Sequence, residues 1–326
     1  LRNSLGMSTP VPIPGFRIGQ AHDATVATGV TVILPDHASP CAVDVRGGGP
    51  GTRETDTLAH GNLITHVHGI ALAGGSVYGL AAADGVCTWL GARGRGYAAS
   101  ANDAVPVSPI VPAAILFDNA NGGDKAWRAT PPFRRLAMLA CERAGTDVAE
   151  GRAGAGFGAM AGLYPGGLGM ASEVVDGLTV TAIIAANPVG SPYLPGTTCP
   201  HAWMYEREGE FGGARPSADY TWRPPTDTKL EVLRGAGQST VIGAVLTNAA
   251  LTQTQLKRLA VMAQDGIAHA VQPSHTPLDG DTLFALSAGD TPIGSPVALA
   301  YLGAAAARAT ARALTRGVLL ARAEIN

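Results

Sequence analysis

The chain has 326 residues, a formal net charge of −2 and 15% charged residues. That balance leaves no basic field for a nucleic-acid partner, and no run is long and apolar enough to span a bilayer. The four cysteines, Cys41, Cys87, Cys141 and Cys199, have no CxxC spacing and read as buried thiols rather than a disulfide framework. Glycine and alanine are abundant and aromatics make up only 5%, which suits closely packed backbones. No charge run or low-complexity break interrupts the chain, so residues 1–326 are expected to form a single domain.

In chain order, Gly29 to Leu34 predicts a strand ended by Pro35 and Asp36, and Ala42 to Arg46 predicts a second. The second runs into Gly47-Gly48-Gly49-Pro50-Gly51-Thr52-Arg53. Such a loop can cradle an anion, but no GK[ST] follows, and a tight turn packed under other backbone is the expectation. Ile64 to Leu72 reads as a strand that puts His66 and His68 on one face. No third ligand lies nearby in sequence, so no metal is expected. Gly74-Gly75-Ser76-Val77-Tyr78-Gly79 turns the chain into a helix running to about Ala92, with Ser76 as its cap. The same segment misses the G-x-S-x-G nucleophile elbow by one residue, which leaves Ser76 as an alternative nucleophile.

Ala113 to Asp118 predicts a buried strand and Arg134 to Ala144 a helix. Gly151 to Gly169 is glycine-dense and reads as loop or ribbon. Leu178 to Ala186 is a long buried strand ending in Asn187-Pro188-Val189-Gly190. Ser191 to Gln238, rich in proline, glycine and charge, reads as surface loop. Ile242 to Leu246 is a short buried strand, reached through a flexible Gly235 to Gln238 and two hydroxyl residues, Ser239 and Thr240. Thr252 with Gln255 forms a capping box. The helix it opens buries Leu256, Leu259, Ala260, Ala263, Ile267 and Ala270. Thr276 to Thr282 carries Asp279 and Asp281 around Gly280 and leads into a strand, Leu283 to Ser287. Ser295-Pro296 starts an alanine-rich helix to about Ala323. The order predicts an α/β fold with helices on both sides of packed sheets.

Two stretches carry a family pattern: Ser239-Thr240-Val241-Ile242-Gly243, and His275-Thr276-Pro277-Leu278-Asp279-Gly280-Asp281-Thr282-Leu283-Phe284-Ala285-Leu286. With the glycine-rich loop at Gly47 they resemble the self-cleaving peptidases that include the L-aminopeptidase/D-esterase DmpA, the β-aminopeptidases and the nylon-oligomer hydrolases, peptidase family S58. The resemblance runs from Gly29 to about Arg316. It implies a four-layer αββα sandwich of the DmpA and ornithine acetyltransferase type. It also implies self-cleavage into residues 1–239 and 240–326. The new amino-terminal Thr240 would then hold a nucleophile and, in its α-amine of pKa about 7.7–8, a base. Asn187 matches the family's oxyanion donor, and Asp279 and Asp281 match two carboxylates beside the nucleophile. Gly74, Gly75, Ser76, Tyr78, Phe117 and Leu163 match positions that border the substrate.

The implied activity is hydrolysis of small peptides, amino-acid amides or amide oligomers through an acyl-enzyme on Thr240, without a cofactor, in a homo-oligomer, expected to be a tetramer. The expected site is the cytoplasm, or the periplasm where a leader is removed. The chain departs from the family at Ser239 and Val241, at Phe117, and at Leu163, where members carry a lysine after a G-x-G-x-x-x-G loop. The three lysines are Lys125, Lys229 and Lys257, none of them in that loop. The lysine of that loop is therefore missing, which leaves a slow enzyme, one that uses another cation, or an inert one. That keeps two other readings open: an acyltransferase, in which an amine replaces water, and an uncleaved, inert scaffold.

Overall fold

The computed structural model describes residues 10–230 and 239–325. The chain begins with β1 (Phe16–Asp23), β2 (Thr28–Pro35), β3 (Ser39–Val45), β4 (Thr52–Arg53), β5 (His66–Val67) and β6 (Ile70–Ala73). Then come helix α1 (Ala82–Gly91), β7 (Ala113–Ile115), helix α2 (Phe133–Glu142), β8 (Met160–Ala161), β9 (Tyr164–Pro165), β10 (Gly167–Val175) and β11 (Leu178–Asn187). It closes with β12 (Thr240–Ala250), α3 (Gln253–Ala270), β13 (Thr282–Pro292) and α4 (Pro296–Ala323).

The larger strands form two sheets, β1-β2-β6-β7-β4 and β10-β11-β12-β13-β3-β5. Ile242, Ala244 and Leu246 of β12 point to the inner layer, where they meet Ile33, Ile70 and Leu72 of the first sheet. Val241 and Val245 point the other way, onto Leu256, Leu259, Leu302 and Leu314 of α3 and α4. The absence of polar alternation in β12 follows, because both of its faces are covered. On the far side, Val30, Val32 and Ala71 pack against Phe133, Leu136 and Ala140 of α2 and against Val86 of α1. Helices, sheet, sheet and helices make the αββα sandwich that the family resemblance implies.

Some expectations change. β1 and β10 are strands that the sequence reading did not assign. In β10 the glycines serve a close approach: a Cβ on Gly169 would sit 1.9 Å from the Ala313 carbonyl oxygen of α4. Ile64 to Leu72 divides into β5 and β6. Ser76 does not cap a helix; it has φ of 54° inside a 3-10 turn, Ser76–Ala81, and α1 begins only at Ala82. The stretch from Ser191 is not simply surface loop, because Ser191, Tyr193, Glu210 and Lys229 are buried. The approach from Gly235 to Gln238 lies outside the described residues. The capping box at Thr252 and Gln255 is present.

A buried charge layer ties α4 to the rest. Arg312 meets Glu173 at 2.7 Å and also Glu210, while Arg316 reaches Glu150 at 2.8 Å and Glu210 at 3.0 Å. Buried ions tolerate such a place only when each is paired.

Candidate active site

Two pairings bring the marked residues together. β11 runs antiparallel to β12, so Asn187 at the end of one lies opposite Thr240 at the start of the other. β12 and β13 are parallel, joined by α3, so Ile242 aligns with Thr282 and the Asp279-Gly280-Asp281 turn falls beside Ser239 and Thr240. Ser239 forms a parallel bridge with Asp279. Its N–H donates to the Leu278 carbonyl at 2.9 Å, and its own carbonyl accepts the Gly280 N–H at 2.8 Å. The Thr240 hydroxyl donates to that same Ser239 carbonyl oxygen. A Cβ on Gly280 would lie 2.8 Å from Thr240 Oγ1 and 2.7 Å from the Gly49 carbonyl oxygen, so the backbone can come this close only without a side chain.

The turn is fixed from several sides. Asp281 accepts the Val241 N–H at 2.7 Å and faces His275 Nδ1 at 2.7 Å. Burial works to lower the His275 pKa, but the hydrogen bond and charge of Asp281 raise it overall. Asp279 accepts the Val189 N–H at 3.0 Å with one oxygen and the Thr276 N–H and hydroxyl with the other. Burial, and then the Asp281 charge, push Asp279 above the usual carboxylate range. The glycine-rich loop lies against the same turn, with Gly49 N–H on the Asp279 carbonyl at 2.8 Å and Gly48 N–H on that of Thr276 at 3.2 Å. It packs under other backbone, as its sequence suggests.

The lysine of the glycine-rich loop is missing, as its sequence says, but another cation stands at the site. Lys229 is buried at the site, with Nζ 3.1 Å from both the carbonyl and Oδ1 of Asn187 and 3.2 Å from Ser239 Oγ. Burial lowers its pKa to about 7, against the opposing pull of Asp279. It comes from a different segment than the one that the sequence pattern pointed to. The Leu163 N–H donates to the Asp227 carbonyl at 3.0 Å, and the Lys229 N–H donates to that of Val189 at 2.9 Å. The loop ending at Leu163 thus abuts the segment that delivers Lys229, while Leu163 itself is 44% exposed.

Asn187 is heavily engaged. Its Oδ1 accepts from Met160 N–H at 2.9 Å, Asn121 Nδ2 at 3.2 Å and Lys229, and its Nδ2 donates to the Phe117 carbonyl at 2.9 Å. Three surrounding donors fix which amide atom is the oxygen. The Phe117 backbone thereby joins the site. Gly74 to Ser76 sit one layer further out: the Ser76 N–H donates to the Leu116 carbonyl at 3.0 Å and the Gly75 N–H to Asp118 at 2.7 Å. Tyr78 is half exposed and meets Trp127 edge-on. Thr240 is only 2% exposed, so the hydroxyl is enclosed while the chain is continuous.

Known proteins point the same way. The profile of peptidase family S58 matches residues 11–324. The chain is 41% identical over 339 residues to an uncharacterized aminopeptidase of Mycobacterium tuberculosis (strain ATCC 25618 / H37Rv), covering 97% of this chain and 95% of that one. It is 29% identical over 292 residues to a 6-aminohexanoate-oligomer endohydrolase of Kocuria sp. (strain KY2), covering 84% and 73%. Among solved structures, the L-aminopeptidase D-Ala-esterase/amidase of Ochrobactrum anthropi, described as a variant of the Ntn hydrolase fold, superposes with a TM-score of 0.70 at 20% identity over 98% of this chain and 90% of that one. A β-aminopeptidase of Burkholderia sp. gives 0.66 at 21% identity, over 96% and 89%.

Proposed function

Because the chain belongs to peptidase family S58, and is therefore a hydrolase, we propose that it cuts itself between Ser239 and Thr240. It then hydrolyses small peptides or amino-acid amides through an acyl-enzyme on Thr240. The observation that carries this reading is the Ser239 carbonyl, held at once by the Gly280 N–H and the Thr240 hydroxyl. Thr240 Oγ1 bonds to the Ser239 carbonyl carbon, the C–N bond breaks, and the nitrogen of Thr240 takes a proton. Water then cleaves the ester, leaving a Ser239 carboxylate and a Thr240 that bears both hydroxyl and amine.

The two stages differ in their base. Before the cut the Thr240 nitrogen is an amide and accepts nothing. Lys229, with its pKa lowered to about 7, supplies a neutral amine near the scissile residue at ordinary pH. After the cut the freed α-amine of Thr240 takes over. Negative charge on the carbonyl oxygen falls to the Gly280 N–H, a donor already in place. Asn187, engaged through both ends of its amide, anchors Lys229 beside the cut. Asp279 and Asp281 hold the turn and, once the amine is free, orient it.

Lys229 favours a working enzyme over an inert scaffold. An acyltransferase would use the same ester with an amine acceptor, and an assay with water alone and with added amine separates the two. Intact mass under denaturing conditions, with sequencing of the small fragment, tests the processing; hydrolysis of aminoacyl amides tests the turnover. We further propose self-association, as a tetramer, through the exposed face of α4 that carries Val297 and Tyr301, which light scattering would check.

A further inference from the structure

An ammonium group gains from hydration, yet Lys229 is only 8% exposed. It belongs to none of the strands, so no sheet ladder keeps its backbone in place. Asp227, two positions earlier, reaches elements on both sides of the segment. We infer that Asp227 is a positioning residue, a clamp that fixes this segment between the Leu163 loop and the Ser191 turn and so keeps Lys229 in its buried place beside Ser239. The inference deepens the proposed Thr240 chemistry, on which its consequence for processing rests.

The clamp uses both the side chain and the backbone of Asp227. Its Oδ2 accepts the Tyr164 hydroxyl of β9 at 2.7 Å and the Ser191 hydroxyl at 2.8 Å. Ser191 follows the Asn187-Pro188-Val189-Gly190 stretch at the end of β11 and is itself tied to Gln272 by an isolated bridge. The Asp227 carbonyl accepts the Leu163 N–H at 3.0 Å. A Cβ on Gly162 would lie 2.5 Å from that same carbonyl oxygen, so the loop closes on Asp227 only because it has a glycine there. The Lys229 N–H then meets the Val189 carbonyl at 2.9 Å, and its side chain enters the site.

The neighbours of the clamp hold their charge states near neutrality. Burial, and then the hydrogen bond and charge of Asp227, push the Tyr164 phenol up to about 12, so it stays a donor. Burial takes His201 down to about 4 against the pull of Asp227, so its ring is neutral. Arg322 lies over the Tyr164 ring at 5.8 Å and remains a cation. Facing Lys229 itself is Asp279, from the turn before β13, whose charge opposes the effect of burial. Loss of the clamp would let water reach Lys229, and its pKa would climb from about 7 toward 10.5.

The test uses the Thr240→Ala chain, in which Ser239 keeps the peptide bond that it has in the structure. NMR of the lysine Cε groups across pH follows the three lysines, and Lys229→Met identifies the signal that matters. Lys229 should titrate near pH 7, and with Asp227→Ala added at about pH 8 or above. Asp227→Asn, whose amide oxygen can receive both hydroxyls, should stay near the parent value. In chains that keep Thr240, Asp227→Ala should slow processing at pH 7 by about five- to fiftyfold, the loss of neutral amine when the midpoint lies between about 8 and 9, and the rate should recover at higher pH. An unmoved Lys229 midpoint in Asp227→Ala, or a processing rate that falls evenly across pH, overturns the clamp. Midpoints that shift as expected in a protein whose wild type never processes overturn the Thr240 reading and leave the clamp standing. If Asp227→Ala fails to fold, Tyr164→Phe and Ser191→Ala, each removing one hydroxyl, should raise the midpoint by a smaller amount, and no rise in either overturns the clamp.

Discussion

Lys229 Nζ lies 3.2 Å from the Ser239 hydroxyl, ten positions along the chain and on the opposite side of a stretch beyond the described residues. A group with its pKa lowered to about 7 is thus placed beside the peptide proposed to be cut. Lys229→Met should slow processing by roughly 10²–10⁴-fold, the usual worth of a positioned base. In the wild type the processing rate should rise with pH through about 7, since only the neutral amine accepts a proton. The unfolded chain keeps that proton up to about 10.5, so this residue's contribution makes stability rise with pH between the two values. Leu163→Lys should change processing little, because Leu163 is 44% exposed and Lys229 already supplies the amine. Time courses on denaturing gels across pH give the three processing results, and denaturant unfolding across pH gives the stability trend.

Thr240→Ala should leave a single band, while wild-type protein gives two fragments, the smaller beginning at Thr240. A fragment beginning at Ser239 instead would move the nucleophile to the hydroxyl beside Lys229. A Thr240→Ala protein that still divides would sink the threonine reading.

Gly280→Ala should slow processing by roughly 10²–10³-fold, the cost of a displaced oxyanion donor. The added methyl would meet the Gly49 carbonyl oxygen at 2.7 Å and Thr240 Oγ1 at 2.8 Å, so the turn must shift away from the Ser239 carbonyl. Circular dichroism of the unprocessed chain distinguishes a local shift from misfolding.

His275 should titrate above the ordinary histidine value, because its contact with Asp281 outweighs burial. The stability it contributes is present in full below pH 6.5 and is lost as pH rises through the raised folded value. In Asp281→Asn the imidazole should titrate below 6.5, since burial, the largest cause, and the Arg46 charge then outweigh the contact with the Gln264 backbone. An NMR pH titration of the ring protons in both proteins checks this directly.

Much of the fold was legible because burial leaves a pattern. β12 reads as buried on both faces from its run of small apolar residues, and α3 announces itself through Thr252 and Gln255. Asp279-Gly280-Asp281 was legible from its residues as a polar turn before a strand, and a chemical role for it came only from the family resemblance. β10 was not legible, because its glycines answer to α4, a neighbour far along the chain. Lys229 was passed over for a related reason. A single lysine in a proline-rich segment has no period, and it is carried inward by contacts such as those of Asp227 and Lys229 with Leu163 and Val189. The Gly280 donor is a backbone group, which no side-chain pattern can mark.

The charge layer under α4 has a consequence once the chain is cut. Glu150, Glu173 and Glu210 all precede Thr240, whereas Arg312 and Arg316 follow it. A chain cut as proposed would have its two products clasped by these buried ion pairs as well as by β12 lying between β11 and β13. They would stay together as a two-chain complex that no covalent link maintains. Melting such a complex releases two molecules from one, so its midpoint should fall on dilution, in the manner of any dissociating dimer. The Thr240→Ala chain, still a single molecule, should melt without that component.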